Sequence, residues 1–150
     1  MPVMDEKGEG GRKPLELKFR WVEGSFAVCQ LSPVAPVPDW VTQEPFVSIT
    51  RTADELSIVC RQGSIPDEVK ADKGWICFKL EGPFPFSQTG VLLSFIQPLS
   101  ESEVPIFAIS TFNTDYVLIK QEFAGIALDA LREAGHKIEN TDESWRKLIE

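Results

Sequence analysis

The sequence predicts an α+β fold of two tandem units, the first poor in helix. Three observations carry that reading. Residues Leu15 to Trp21 alternate strictly between apolar and polar, as a strand with one buried face does. The stretch 45–60 aligns without a gap on 105–120, which points to an internal duplication. Helical spacing of apolar residues occurs only in the second half, at 90–99 and 121–134.

Taken in order, the first strand has Leu15, Leu17, Phe19 and Trp21 on one side, with Glu16, Lys18 and Arg20 on the other. Glu23-Gly24-Ser25 reads as a turn, after which Phe26 to Leu31 continues extended. Pro33, Pro36 and Pro38 leave room for one short helical turn before Trp40. Phe46 to Arg51 and Glu55 to Cys60, joined at Thr52-Ala53-Asp54, form a β-hairpin rich in β-branched residues. The polar stretch Gln62 to Lys73 carries one helical turn after Pro66, and Trp75 to Leu80 is another strand.

The second half opens with a helix from Gly90 to about Leu99, its face marked by Leu92, Phe95, Ile96 and Leu99 and its end bent at Pro98. Ile106 to Thr111 and Asp115 to Lys120 make a second hairpin. A helix over Gln121 to Ala134 places Phe123, Ile126, Ala127, Ala130, Leu131 and Ala134 on one face. Gly135 stands where a left-handed cap belongs. A short closing strand fits His136 to Glu139, and a helical turn or two fits Thr141 to Glu150.

In the aligned hairpins Pro45 meets Pro105, Ile49 meets Ile109, Thr50 meets Ser110 and Glu55 meets Asp115, an offset of 60 (105 minus 45). Upstream, Val22-Glu-Gly-Ser-Phe26 resembles Leu80-Glu-Gly-Pro-Phe84 at an offset of 58 (80 minus 22). Each half therefore runs strand, connection, hairpin, connection. Completed by the closing strand, that order is the ferredoxin-like βαββαβ arrangement, with an antiparallel sheet per unit and helices on one face. Side-by-side pairing would cover the sheet edges. The predicted boundaries are a tail at 1–13, units at 14–73 and 74–140, and a helical segment at 141–150.

Composition narrows the function classes. A net charge of −8 disfavours nucleic acid and anionic membranes as partners. No apolar run approaches the roughly 20 residues of a membrane span, and the first 13 residues lack a signal peptide's apolar stretch. The expected location is therefore the cytoplasm. Cys29, Cys60 and Cys77 read as reduced core thiols. With the single His136 they form no metal set, and no cofactor is expected. No phosphate loop or nucleophile elbow is present, and His136 has no adjacent nucleophile, so the chain is not expected to be an enzyme.

Ile109-Ser-Thr-Phe-Asn-Thr-Asp-Tyr-Val-Leu-Ile119, with Gly82-Pro-Phe-Pro-Phe-Ser-Gln-Thr-Gly-Val91, resembles the ACT domains of small bacterial aspartokinase-related proteins. It is also similar to those of the CASTOR-type arginine sensors. Ser48-Ile-Thr-Arg-Thr-Ala-Asp-Glu-Leu-Ser-Ile-Val59 matches the opening half of the same bacterial family, so the resemblance covers about 15–139.

The resemblance implies a regulatory module, often dimeric, that binds an amino acid at an interface between ACT units. It implies ligand contacts at Ser87, Thr89, Gly90 and Val91, and at Ser110, Thr111, Phe112, Asn113 and Asp115. Asp115 takes the place of the carboxylate that holds a cationic ligand in the arginine sensors. The chain has two units where those sensors have four, so a complete pocket is expected to need a second copy. A glycine at a helix start lets N–H groups reach a ligand carboxylate, and a facing carboxylate accepts an ammonium group. The competing assignment is capping at Thr89-Gly90 and turn-shaping at Asp115. The competing function is a protein-interaction module without its own ligand, with Trp21, Trp40, Trp75 and Trp145 as its contact aromatics.

Overall fold

The computed structural model describes residues 14–85, 88–140 and 142–149. Seven strands form one continuous sheet in place of the two expected: β1 (Lys18–Leu31), β2 (Ser48–Arg51), β3 (Leu56–Arg61), β4 (Lys70–Leu80), β5 (Ile106–Ser110), β6 (Asp115–Lys120) and β7 (Lys137–Ile138). Two helices, α1 (Val91–Glu101) and α2 (Ala124–Glu133), belong to the second half. The strand order is β2-β3-β1-β4-β6-β5, all antiparallel, and β7 joins the start of β1 in parallel.

β1 and β4 run past one another along most of their length, from Phe19 opposite Leu80 to Gln30 opposite Lys70. The later part of β1 carries the β2–β3 hairpin, and the later part of β4 carries the β5–β6 hairpin. Glu23-Gly24-Ser25 is therefore not a turn. It lies inside β1, where the register with β4 shifts between Val22 and Phe26. Gly24 (φ +121°) and Gly74 (φ +87°) mark the irregular centres of the two long strands, in a backbone region that favours glycine.

The registers also correct the repeat. Ser48 faces Val59 in the first hairpin and Phe107 faces Leu118 in the second, so equivalent residues lie 59 apart (107 minus 48), not 60. Thr52 thus corresponds to Thr111, and in each turn that threonine's N–H donates to a carbonyl three residues on, Glu55 O at 2.9 Å and Thr114 O at 2.8 Å. Phe26 opposite Arg61 and Trp75 opposite Lys120 set β1 and β4 at an offset of 49 (75 minus 26). The pairing of Val22–Phe26 with Leu80–Phe84 does not hold, since one segment is mid-strand and the other leaves a strand's end.

Other boundaries shift by a few residues. The turn after Pro66 is closed by the Val69 N–H donating to Pro66 O at 3.1 Å, a 3-10 turn precedes it at Gln62–Ser64, and β4 begins at Lys70 rather than Trp75. The proline-rich connection holds a 3-10 turn at Asp39–Val41, and the C-terminal segment is 3-10 over Ser144–Ile149. The closing strand is β7, but β1, not β7, lies against β4.

Alternation along β4 and β6 sorts the core. Ile76, Phe78, Leu80, Val117 and Ile119 face the helices and pack against Phe95 and Leu99 of α1 and Ala127, Leu128 and Leu131 of α2. Trp75, Cys77 and Leu118 face the opposite side, with Phe26 and Val59. In the first half, Val41 and Ile65 from the connections cover Cys29, Leu56, Ile58 and Cys60. Each fully buried Phe or Leu in these layers contributes about 1.5–3 kcal/mol. The buried face of α2 is rotated from the expected one: Ala124 and Leu128 are inside, whereas Ile126 is 53% exposed.

His136 is a structural histidine. Its Nδ1 accepts the Leu17 N–H at 3.0 Å and its Nε2 donates to the Ser94 carbonyl at 2.8 Å, which fixes the tautomer and ties β1's lead-in to α1. Trp21 and Trp75 are buried and Trp40 and Trp145 half-buried, so the four do not form an exposed aromatic surface.

Candidate functional site

The β5–β6 turn and the loop that leaves β4 meet because of two contacts. The Thr114 hydroxyl donates to the Leu80 carbonyl at 2.8 Å, and the Phe84 N–H donates to the Asn113 carbonyl at 3.0 Å. Gly82 permits that approach, since a Cβ there would stand 3.0 Å from Asn113 O. The Gly82–Pro83 peptide is cis. Within the turn, the Thr111 hydroxyl donates to Thr114 O at 3.0 Å, and Ser110 Oγ donates to the Asp115 carboxylate.

Between turn and loop lies an open cavity of about 180 Å³, lined by Phe84, Pro85, Gln88, Val91, Ser110, Thr111, Phe112, Asn113, Thr114 and Asp115. Among the described residues of that lining, Asp115 alone carries a charged side chain. Val91 is the first residue of α1, and among the described residues no side chain caps that helix at Gly90, which takes φ +82°. The first helical bond runs from Ser94 N–H to Gly90 O, so the N–H groups ahead of it, Val91 included, have no partner within the helix.

The structure thus gathers six of the predicted ligand residues: Val91, Ser110, Thr111, Phe112, Asn113 and Asp115. Thr89 and Gly90 line a different cavity of about 330 Å³ with Pro14, Leu15, Leu93, Ser94 and Gln97. The left-handed Gly90 turns the chain there, separating Thr89 from Val91. Ser87 lies outside the described residues. Sequence reasoning missed Phe84, Pro85, Gln88 and Thr114. The prolines flanking Phe84 and the second threonine of the Thr111–Thr114 turn were the available signals.

A third cavity of about 190 Å³, lined by Phe19, Leu128, Arg132, His136, Lys137, Ile138 and Trp145, sits at the end of α2. Both nitrogens of His136 are engaged elsewhere, so this cavity has no free imidazole. Among the described residues no group of three or more His, Cys, Asp or Glu side chains is placed to hold a metal ion. Burial pushes the Cys60 and Cys77 thiols up to about 12 and raises that of Cys29, which makes all three poor nucleophiles at neutral pH.

Residues 70–133, from the first residue of β4 to the end of α2, match the ACT domain model, and residues 24–68 match the model of a distinct N-terminal domain. The structure of protein Atu0741 from Agobacterium tumefaciens is 43% identical, with 83% of this chain and 93% of that one covered and a TM-score of 0.79. This chain belongs to the same family of ACT-domain proteins.

Two more distant structures share the fold of this ACT protein. VC0802 from Vibrio cholerae, described as a possible transport protein, is 18% identical over 80% of this chain and 91% of its own, with a TM-score of 0.66. The regulatory subunit of aspartate kinase from Thermus thermophilus, in a ligand-free form, is 12% identical over 80% and 95%, with a TM-score of 0.54. No curated protein matches the chain. No described helix is long and apolar enough to cross a membrane.

Proposed function

We propose that this ACT protein is a non-enzymatic regulator that binds a small molecule, an amino acid in the first instance, in the cavity between the 84–91 loop and the 110–115 turn. The observation that carries the reading is the convergence of uncapped α1 N–H groups at Val91 and the Asp115 carboxylate on one cavity. The helix start would receive a ligand carboxylate, and Asp115 would receive an ammonium or a basic side chain. Its regulatory role is supported by the ACT match and by the fold shared with aspartate kinase regulatory subunits.

A cavity of about 180 Å³ is smaller than the roughly 300–1,000 Å³ of ordinary ligand sites and is open to solvent. A second copy supplies the missing wall. β5 is an edge strand, Ile106-Phe-Ala-Ile-Ser110, with no charge to discourage pairing. Because Thr111 and Thr114 form a hydrogen-bonded pair, strict alternation turns the backbone groups of Ile106, Ala108 and Ser110 outward. Two such strands pair antiparallel about Ala108, an isologous contact that sets the partner's strand start beside the cavity at Ser110. The two halves are best read as duplicated ferredoxin-like units, supported by the equivalent turns at Thr52 and Thr111 and the irregular strand centres at Gly24 and Gly74.

Calorimetry of the full chain against each of the twenty amino acids tests the ligand, and sedimentation tests the dimer. Heat of binding is expected for at least one amino acid, lost in Asp115→Ala if the ligand is basic. Ala108→Lys, which sets like charges together at the two-fold axis, is expected to give monomers. Absence of binding at millimolar ligand removes the sensor reading, and a monomeric wild-type chain removes the shared cavity.

A further inference from the structure

Superposing the two hairpins by register exposes a difference between them. With Thr52 on Thr111, Arg51 takes the position of Ser110 and Leu56 that of Asp115. With β1 on β4, Pro33 to Ala35 takes the position of Gly82 to Phe84. In the second half, Ser110 turns back onto Asp115 within its own hairpin, and the space between turn and loop stays open. In the first half, Leu56 offers no carboxylate, and the side chain reaches across instead. Arg51 Nη1 donates to the Pro33 carbonyl and Nη2 to the Ala35 carbonyl at 2.8 Å.

We infer that Arg51 is a built-in ligand of the first-half cleft, whose guanidinium fastens the Pro33–Ala35 loop to the hairpin and leaves each chain one open site. The chemistry suits a guanidinium: two loop carbonyls converge on adjacent nitrogens of one planar fork, which a single ammonium cannot span in the same way. The vacated cleft of a truncated variant is therefore a site for a small guanidinium compound. Only the count of one open site rests on the cavity proposed above as the ligand site. The Arg51 strap stands on its own geometry.

The test is hydrogen exchange followed by mass spectrometry on the full-length Arg51→Ala variant, read at the amides of Val34 to Trp40. Loss of the two charge-assisted bonds is expected to speed exchange about tenfold there. Methylguanidinium chloride at millimolar concentration is expected to slow it again, whereas methylammonium chloride at equal ionic strength leaves it fast, and wild type responds to neither. Conversely, Ser110→Arg is expected to slow exchange across the Phe84–Leu93 segment. Unchanged exchange in Arg51→Ala overturns the strap, and equal rescue by both salts overturns the guanidinium site. Neither readout involves an amino acid, so the strap and the sensor reading fail or survive separately.

Discussion

Both helices end in the same hydrogen-bonded motif, and only one of them has the residue that motif favours. At the end of α2, Gly135 takes φ +91°, its N–H donates to Arg132 O at 2.9 Å, and the His136 N–H donates to Leu131 O at 3.0 Å. At the end of α1, Glu103 takes φ +60°, its N–H donates to Ser100 O at 2.9 Å, and the Val104 N–H donates to Leu99 O at 2.9 Å. A left-handed non-glycine residue costs about 1–2 kcal/mol. Replacing it by glycine returns about 0.5–1 kcal/mol of that gain to the unfolded chain's entropy. Glu103→Gly is therefore expected to stabilise the fold by about 0.5–1 kcal/mol, raising Tm by roughly 2 °C for a chain of 150 residues. Glu103→Ala is the control, since it removes the carboxylate from the helix C-terminus but keeps the strained backbone. Denaturant and thermal melts of the three proteins decide the matter. If the alanine variant gains as much as the glycine variant, strain at Glu103 is not the cause and the reasoning fails.

His136→Ala strips partners from two buried backbone groups, the Leu17 N–H and the Ser94 carbonyl. It is expected to cost about 3 kcal/mol in urea unfolding, because each orphaned group costs about 1–3 kcal/mol. The thiols supply a pH dependence. The folded values near 12 of Cys60 and Cys77 lie above the ordinary 9.0, so the unfolded chain ionises first as pH rises. Their contribution is intact below pH 9 and is lost from there toward pH 12, at up to about 1.4 kcal/mol per pH unit for each thiol. Titration of unfolding midpoints above pH 9 checks the slope. Native protein is expected to resist a thiol reagent at pH 8 until denaturant is added.

Local features of the fold were legible where one residue type has one physical use. The alternation ending at Trp21 marks β1 because Leu17, Phe19 and Trp21 are buried while Lys18 is exposed. Gly135 marks a helix end because a Cβ there would meet both the left-handed penalty and Glu16 Oε2 at 2.6 Å. The α2 face was misjudged because Ile126 and Leu128 are equally apolar and differ only by rotation about the axis. The packing of α1 and the sheet, not spacing alone, selects Leu128. The gapless alignment of the two hairpins missed their register by one residue, since Pro45 with Pro105 and Glu55 with Asp115 are likenesses of residue type rather than of pairing. Strand partners are set by hydrogen bonding between distant segments, and a ladder shifted by one residue looks equally alternating in sequence.

The candidate cavity's lining was legible to the extent that it is a single turn. Ser110 to Asp115 line one cavity because the hairpin is local, and Val91 joins them because the start of α1 borders the same cavity. Thr89 and Gly90 line the neighbouring cavity rather than that of the turn because their side of the chain depends on the sign of one φ angle, which glycine leaves open in sequence.

The long strands tie the cavity to the other half of the sheet. β4 presents Leu80, whose carbonyl holds the Thr114 hydroxyl at the cavity floor, and the same strand runs back to Lys70 opposite Gln30 in the first half. β1 repays the arrangement by placing Phe19 against Leu80. Neither half of the sheet is complete without a segment of the other's long strand, so the boundary near residue 70 divides two sequence patterns and not two separable bodies. The 110–115 turn is bonded to Leu80, and Leu80 is joined through β4 to the β1 segment that supports the Arg51 hairpin. Both hairpins therefore hang on the same pair of long strands, β3 on the later part of β1 and β6 on the later part of β4.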